Sequence, residues 1–248
     1  MILSKTGLMC ILLFCIFYQS TNSATLRVPS EYPTIQAGIN AASHGDTVLV
    51  AKGTYTGNGN RDIQLKGKAI TVRSENGYED CIIDCQADAA TFHRGFKIVA
   101  REENDTVIQG FTITNGKHED GGAIYLGNRA SPSIIGCLIT GNSAESNGGG
   151  IRFYRSSARV LDCTFTDNFS LYGGGGLYCS SSSPYIAGCT FLTNATQKEG
   201  GAVCAAHEGN PTLINCQIID NFAKSGGGIA SMNFSYVTMA HCIVSNNS

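Results

Sequence analysis

The chain has 248 residues, of which 17 are Lys or Arg and 19 Asp or Glu, a net charge of −2. That balance leaves no basic surplus for a nucleic-acid partner, and 15% charged residues is well below the roughly 25% of ordinary domains. With 30 Gly, 5 Pro and no Trp, the composition favours many tight turns over helices.

Residues 1–24 have the layout of a secretory signal peptide. Lys5 supplies a positive start, Leu8 to Tyr18 form an uncharged apolar run, and Thr21 to Ala24 are small, with cleavage after Ser23 or Ala24. The run is short against the roughly 20 residues that cross a bilayer as a helix. Bulky Met9 and Phe14 precede Cys10 and Cys15, where a lipoprotein signal would have small residues. The expected location is therefore secreted, extracellular or on the outer cell surface. The remaining domain, residues 25–248, carries 16 basic and 19 acidic residues, a net charge of −3, and is long enough for one sizeable core.

Residues 33–43 (PTIQAGINAAS) form the one helical stretch: Pro33 starts it, Ile35, Ile39 and Ala42 share a face, and His44-Gly45-Asp46 ends it. A short amphipathic helix there can cap the open end of a stack. Strands are expected at Thr47–Val50, Ala69–Val72, Cys81–Asp84, Phe96–Val99 and Phe111–Thr114.

From residue 106 to 248 the chain repeats. Cys137, Cys163, Cys189, Cys216 and Cys242 are separated by 26, 26, 27 and 26 residues, and five residues after each stands Asn142, Asn168, Asn194, Asn221 or Asn247. A Gly pair then leads into Ile124, Ile151, Leu177, Val203 or Ile229, and Pro132, Pro184 and Pro211 open new straight segments. Within each unit apolar residues alternate, as in Leu161, Cys163 and Phe165, which marks a strand with one buried face. A unit of about 26 residues is too short for a strand, a crossover helix and a return. The expected fold is all-β: a right-handed parallel β-helix solenoid of one unit per turn. The Cys file then points inward as small apolar groups; nine Cys remain after the leader, an odd number, and the oxidation of Cys81 and Cys85 stays open. The Asn file sits at the turns, where Asn adopts left-handed dihedrals and bonds its neighbours.

The opening VPSEYPTIQAGINAASHGDTVLVAKGTY, residues 28 to 55, and Gly110-Phe111-Thr112-Ile113-Thr114-Asn115-Gly116 resemble secreted proteins of the pectin-lyase-like, right-handed parallel β-helix superfamily. The later coils are similar to the repeats of chlamydial polymorphic outer membrane proteins, with Gly121-Gly122-Ala123-Ile124, Phe165-Thr-Asp-Asn168 and Phe191-Leu-Thr-Asn194 as the matching boxes. Because that superfamily includes pectate lyases, polygalacturonases, pectin methylesterases and alginate epimerases, the resemblance implies a polysaccharide-active enzyme as one alternative. The Asn-Thr-Asp, Asp-Asp and Gly-His-Gly set of polygalacturonases and the Asp-Pro-His of the epimerases are absent from this sequence.

Candidate residues are few. Asp162 and Asp167 share a coil but have uncharged neighbours one period away, and His118-Glu119-Asp120 and Lys198-Glu199 sit before Gly boxes where polar residues are expected. His207-Glu208 lies in a long turn without a second His one period away, so no metal and no cofactor is expected. Five sequons, at Asn104, Asn168, Asn194, Asn233 and Asn246, matter only in a glycosylating host. Tyr125, Arg152 and Tyr178 follow the box residue in three successive coils. They should form an outward strip that either stacks a sugar ring or merely packs the surface. The expected function is a non-catalytic secreted or surface-displayed module contacting a polysaccharide or a cell-surface protein, a structural spacer being the second alternative. Only Ser248 follows Asn247, so the last coil is expected to be incomplete and to be followed by further coils or covered by another chain.

Overall fold

The computed structural model describes residues 23–248, so the expected leader, apart from Ser23 and Ala24, lies outside the described residues. From Thr25 onward the chain winds as a parallel solenoid, with the right hand that such connections adopt almost without exception. Each turn lays down short strands that pair with their equivalents one turn away. Nine strands form sheet A, from Thr25–Val28 to Thr238–Ala240, and eight form sheet B, from Gly53–Tyr55 to Ile243–Ser245. Four two-residue strands form ladder C, from Lys117–His118 to Ala195–Thr196, and six form sheet D, from Phe96–Ile98 to Ile229–Ser231. Residues one period apart stand side by side, as Ser133, Arg159, Tyr185, Thr212 and Thr238 do in sheet A.

Period-two alternation makes the core narrow and continuous. Ile134, Val160, Ile186 and Leu213 point inward from sheet A, and Ile139, Phe165, Phe191 and Ile218 from sheet B, all fully buried. The strand spacing of about 4.8 Å stacks the rings of Phe165 and Phe191, whose centroids lie 4.7 Å apart. Cys137, Cys163, Cys189 and Cys216 line the inside of the corner between the two sheets, each 1% exposed. Each thiol donates to the carbonyl two residues back, as Cys163 Sγ does to Leu161 at 3.3 Å. All nine described cysteines are free, Cys81 and Cys85 included. Burial pushes the Cys81 and Cys204 thiols up to about 12, which keeps them protonated and unreactive. Cys242 departs from the expected burial: it is partly exposed, because its coil has a described neighbour on one side only.

The Asn file is a continuous hydrogen-bonded ladder. The side-chain amide of Asn142 donates to Oδ1 of Asn168 at 3.0 Å and to the Ile113 carbonyl at 2.9 Å. The same Asn168 oxygen accepts from the main-chain N–H of Asn142 at 3.2 Å. The pattern repeats from Asn168 to Asn194, Asn194 to Asn221 and Asn221 to Asn247. Next in the chain, Gly174 turns with φ +64°, and a Cβ on Gly175 would run into the carbonyls of Ala195 and Gly201. Glycine is required there because two coils touch backbone to backbone.

Between sheets D and A the connection varies in length: Phe96 to Val107 spans eleven residues. Ile151 to Arg159 spans eight residues with one left-handed residue, Arg155; Val203 to Thr212 spans nine with two, His207 and Glu208. The helix is shorter than its pattern suggested, Ile35–Ala41 rather than 33–43. Thr34 Oγ1 accepts from Ala37 N–H at 3.1 Å, so Thr34 is the N-cap and Pro33 precedes it. Its buried Ile35 and Ile39 pack toward the first two strands of sheet A. The early strands shift by a residue or two, to Thr71–Ser74, Phe96–Ile98 and Thr112–Thr114. Among the described residues no helix is long and apolar enough to cross a membrane.

Two outcomes follow from this packing. In native protein, iodoacetamide should leave Cys137, Cys163, Cys189 and Cys216 unmodified until denaturant is added, with Cys242 labelled first; prompt labelling of the four, read by mass spectrometry, would place the file outside the core. Asn168→Ala should lower stability to urea by about 3 kcal/mol, because the amide of Asn142 and the carbonyl of Ile139 lose partners inside the stack.

Candidate functional site

Sheet D carries the file singled out in the sequence. Lys97, Tyr125, Arg152, Tyr178 and Cys204 are neighbours in register, while Ile124, Ile151 and Leu177 beside them point inward. The file faces away from the core, yet three of its members, Arg152, Tyr178 and Cys204, are covered. The Gly turn of each coil folds back over the sheet, so that a Cβ on Gly173 would lie 2.8 Å from the Tyr178 ring and 3.2 Å from Cys204 Sγ. Tyr178 is 7% and Arg152 9% exposed, and only Tyr125 keeps an intermediate exposure. The guanidinium of Arg152 lies 4.3 Å from the Tyr178 ring centroid, so a face of that ring is already occupied. Arg152 Nε is 3.7 Å from Asp120 Oδ1, and its Nε and Nη1 lack hydrogen-bond partners.

Toward the N-terminal coils the covering turn opens into a hollow of about 280 Å³, lined by Arg94, Lys97, His118, Glu119, Asp120 and Tyr125. Arg94 is 4% exposed, its guanidinium stands 5.1 Å from the Tyr125 ring centroid, and its Nη1 has no hydrogen-bond partner. Burial pulls its pKa down to about 10, opposed by Asp62, Tyr125 and Asp120. Asp62 holds this corner together: one oxygen is 2.7 Å from His93 Nδ1 and the other accepts the main-chain N–H of Arg94 at 3.1 Å. His118 Nδ1 accepts from Glu119 N–H at 2.9 Å. Burial, seconded by the Arg94 charge, drives its pKa down to about 4, so the ring is neutral at physiological pH. The lining then holds two cations and two carboxylates, a balanced site that offers both donors and acceptors.

The strip of Tyr125, Arg152 and Tyr178 is thus assembled as expected, but its accessible part is Tyr125. Arg94, Asp62 and His93 escaped the sequence reading, and their one signal was the adjacent His93-Arg94 pair in a stretch poor in charge. Asp162, Asp167, His207 and Glu208 all sit at left-handed turn positions, and Asp167 accepts from Thr193 Oγ1 at 2.7 Å, which explains them as turn residues. Asn168 and Asn194 are buried in the ladder, closed to glycosylation. Among the described residues no three of His, Cys, Asp and Glu converge to hold a metal ion.

A family model described as the right handed beta helix region matches residues 15–191 and, again, residues 122–248. Among solved structures the chain is similar to a pectin methylesterase mutant in complex with a hexasaccharide, at 10% identity and a TM-score of 0.46 over 91% of each chain. It is also similar to the rice weevil pectin methyl esterase, at 13% identity and a TM-score of 0.47 over 90% of this chain and 89% of that one. No curated protein matches the chain.

The depressed pKa of His118 has a sign that can be measured. The unfolded imidazole, with its ordinary pKa near 6.5, binds a proton that the folded one refuses until about pH 4. Stability should therefore fall as pH drops from about 6.5 to 4, with about one proton taken up on unfolding. His118→Gln should flatten that part of the urea-midpoint profile, and an unchanged slope would show that the imidazole titrates normally.

Proposed function

The chain belongs to the right-handed β-helix family, and on that frame we propose that it is a non-catalytic, secreted or surface-displayed module whose sheet D hollow contacts carbohydrate. The observation that carries the reading is Tyr125, the one ring of the outward file that the Gly turns leave half-open, set among Lys97, Glu119 and Asp120. A sugar presents an apolar ring face and a rim of hydroxyls. An aromatic surface with flanking donors and acceptors meets both needs. A cell-surface protein is the other partner class that the same hollow could take.

One observation favours a second reading, that of a polysaccharide-active enzyme. Asp62 is paired with His93 at 2.7 Å and accepts the main-chain N–H of Arg94, which lines the hollow together with Asp120, so acids and a proton carrier stand near one another. On a polysaccharide array, Tyr125→Ala should weaken binding about tenfold, the effect of one lost aromatic contact, while Tyr125→Phe keeps it. Incubated with pectate or alginate, the purified protein should release no new reducing or unsaturated ends. Release that Asp62→Asn or Asp120→Asn abolishes would establish the enzyme instead.

A further inference from the structure

Sheet B turns an open face to solvent. Its four central strands, Thr112–Thr114, Leu138–Thr140, Thr164–Thr166 and Thr190–Leu192, pair in register without a shift. Their middle residues are buried, so the first and third residues of each strand point outward and form two straight files. Six of these eight residues are threonine and the other two, Leu138 and Leu192, are apolar, so the grid carries no charge. Sheet A has threonines as well, but in one file, where Arg159 and Tyr185 break the run before Thr212 and Thr238.

Most of the hydroxyls are uncommitted. Thr112 is 8% exposed and donates to the Tyr78 carbonyl at 2.7 Å, and Thr166 Oγ1 lies 3.1 Å from both Asp167 Oδ2 and Thr193 Oγ1. Thr114, Thr140, Thr164 and Thr190 are partly exposed, and their hydroxyls bond no other group among the described residues. Threonine branches at Cβ and has few rotamers, so hydroxyl and methyl are held in place before any ligand arrives. They repeat about every 4.8 Å along a file. In a tetrahedral network of O–H···O bonds of about 2.7–2.8 Å, second-neighbour oxygens stand about 4.5 Å apart. Over the three steps from the first strand to the fourth the two spacings drift apart by about 1 Å, less than half of one such bond.

We propose that this face of sheet B binds ice. The grid offers no counter-charge to an ion and no ring on which a sugar could stack; what it matches is the spacing of hydrogen-bonded water itself. Hydroxyls anchor a water layer at near-lattice positions, methyls fill the gaps between them, and the layer joins the crystal as it grows. The face lies apart from the sheet D hollow, so this activity stands or falls independently of the carbohydrate reading.

The test grows ice slowly from a solution of the full chain, with serum albumin as a protein that ice excludes, and measures the share of each taken up by the crystal. The chain should enter the ice while albumin stays in the liquid. Thr140→Lys with Thr164→Lys sets two long cations on the grid and should lower the ice-bound share about tenfold. Thr212→Lys with Thr238→Lys makes the same change on sheet A and should leave the share as it was. Leu138→Thr with Leu192→Thr completes the grid and should raise the share, a gain that misfolding cannot imitate. Exclusion of the chain from ice, equal losses in the two lysine variants, or no gain on completing the grid would overturn the proposal.

Discussion

The amide-to-amide contact between asparagines one turn apart governs the coils from Asn142 to Asn247. Each buried Asn side chain both donates to and accepts from adjacent coils, so the file is satisfied only when every coil returns to the same point. A coil that overshot by one residue would strand a donor and an acceptor in the interior, at a cost of about 1–3 kcal/mol each. The other files inherit that register. Cysteines stack in the same register as the asparagines five residues later, and between them sheet B pairs Phe165 with Phe191 ring to ring. With the interior so constrained, chemistry is left to outward positions and to the turns.

The sheet D hollow shows how an outward file becomes a site. Strand pairing sets Tyr125, Arg152 and Tyr178 in line, and the returning Gly turn then decides which of them meets solvent. Arg152 is covered and stacked on Tyr178, while Arg94 is drawn in from an irregular early coil to stand over Tyr125. Buried guanidinium groups near aromatic faces are weakly solvated, which strengthens whatever electrostatic interaction they make. The open end of the file is therefore also its most polarised end.

What the sequence disclosed follows from the same geometry. Three columns sharing one period specify a solenoid, and alternation within each unit says which side chains face inward, so Cys163 and Phe165 could be assigned to the core and Asn168 to the turn. The helix N-terminus could not, because Pro33 and Thr34 both suit a start and only the hydroxyl bond to Ala37 separates them. The site was half legible. Register gives the Tyr125–Arg152–Tyr178 file, but periodicity is blind to how a turn folds over a sheet, and so to the covering of Tyr178. Asp62, His93 and Arg94 come from coils with no regular spacing, and nothing local links a residue at 62 to one at 94.

The varying length of the connection between sheets D and A marks where this architecture tolerates revision. An added residue there is absorbed by a second left-handed position, as at His207 and Glu208, and the strands on either side keep their partners. The stretch from the asparagine ladder to sheet D varies as well, from nine residues between Asn194 and Val203 to eight between Asn221 and Ile229, whereas an insertion between the Cys and Asn files would shift the ladder itself. Insertions and new side chains can therefore accumulate at these margins while the interior keeps its register. Differences in what such a stack presents to solvent would then be written along those margins, coil by coil, with the interior beneath them unchanged.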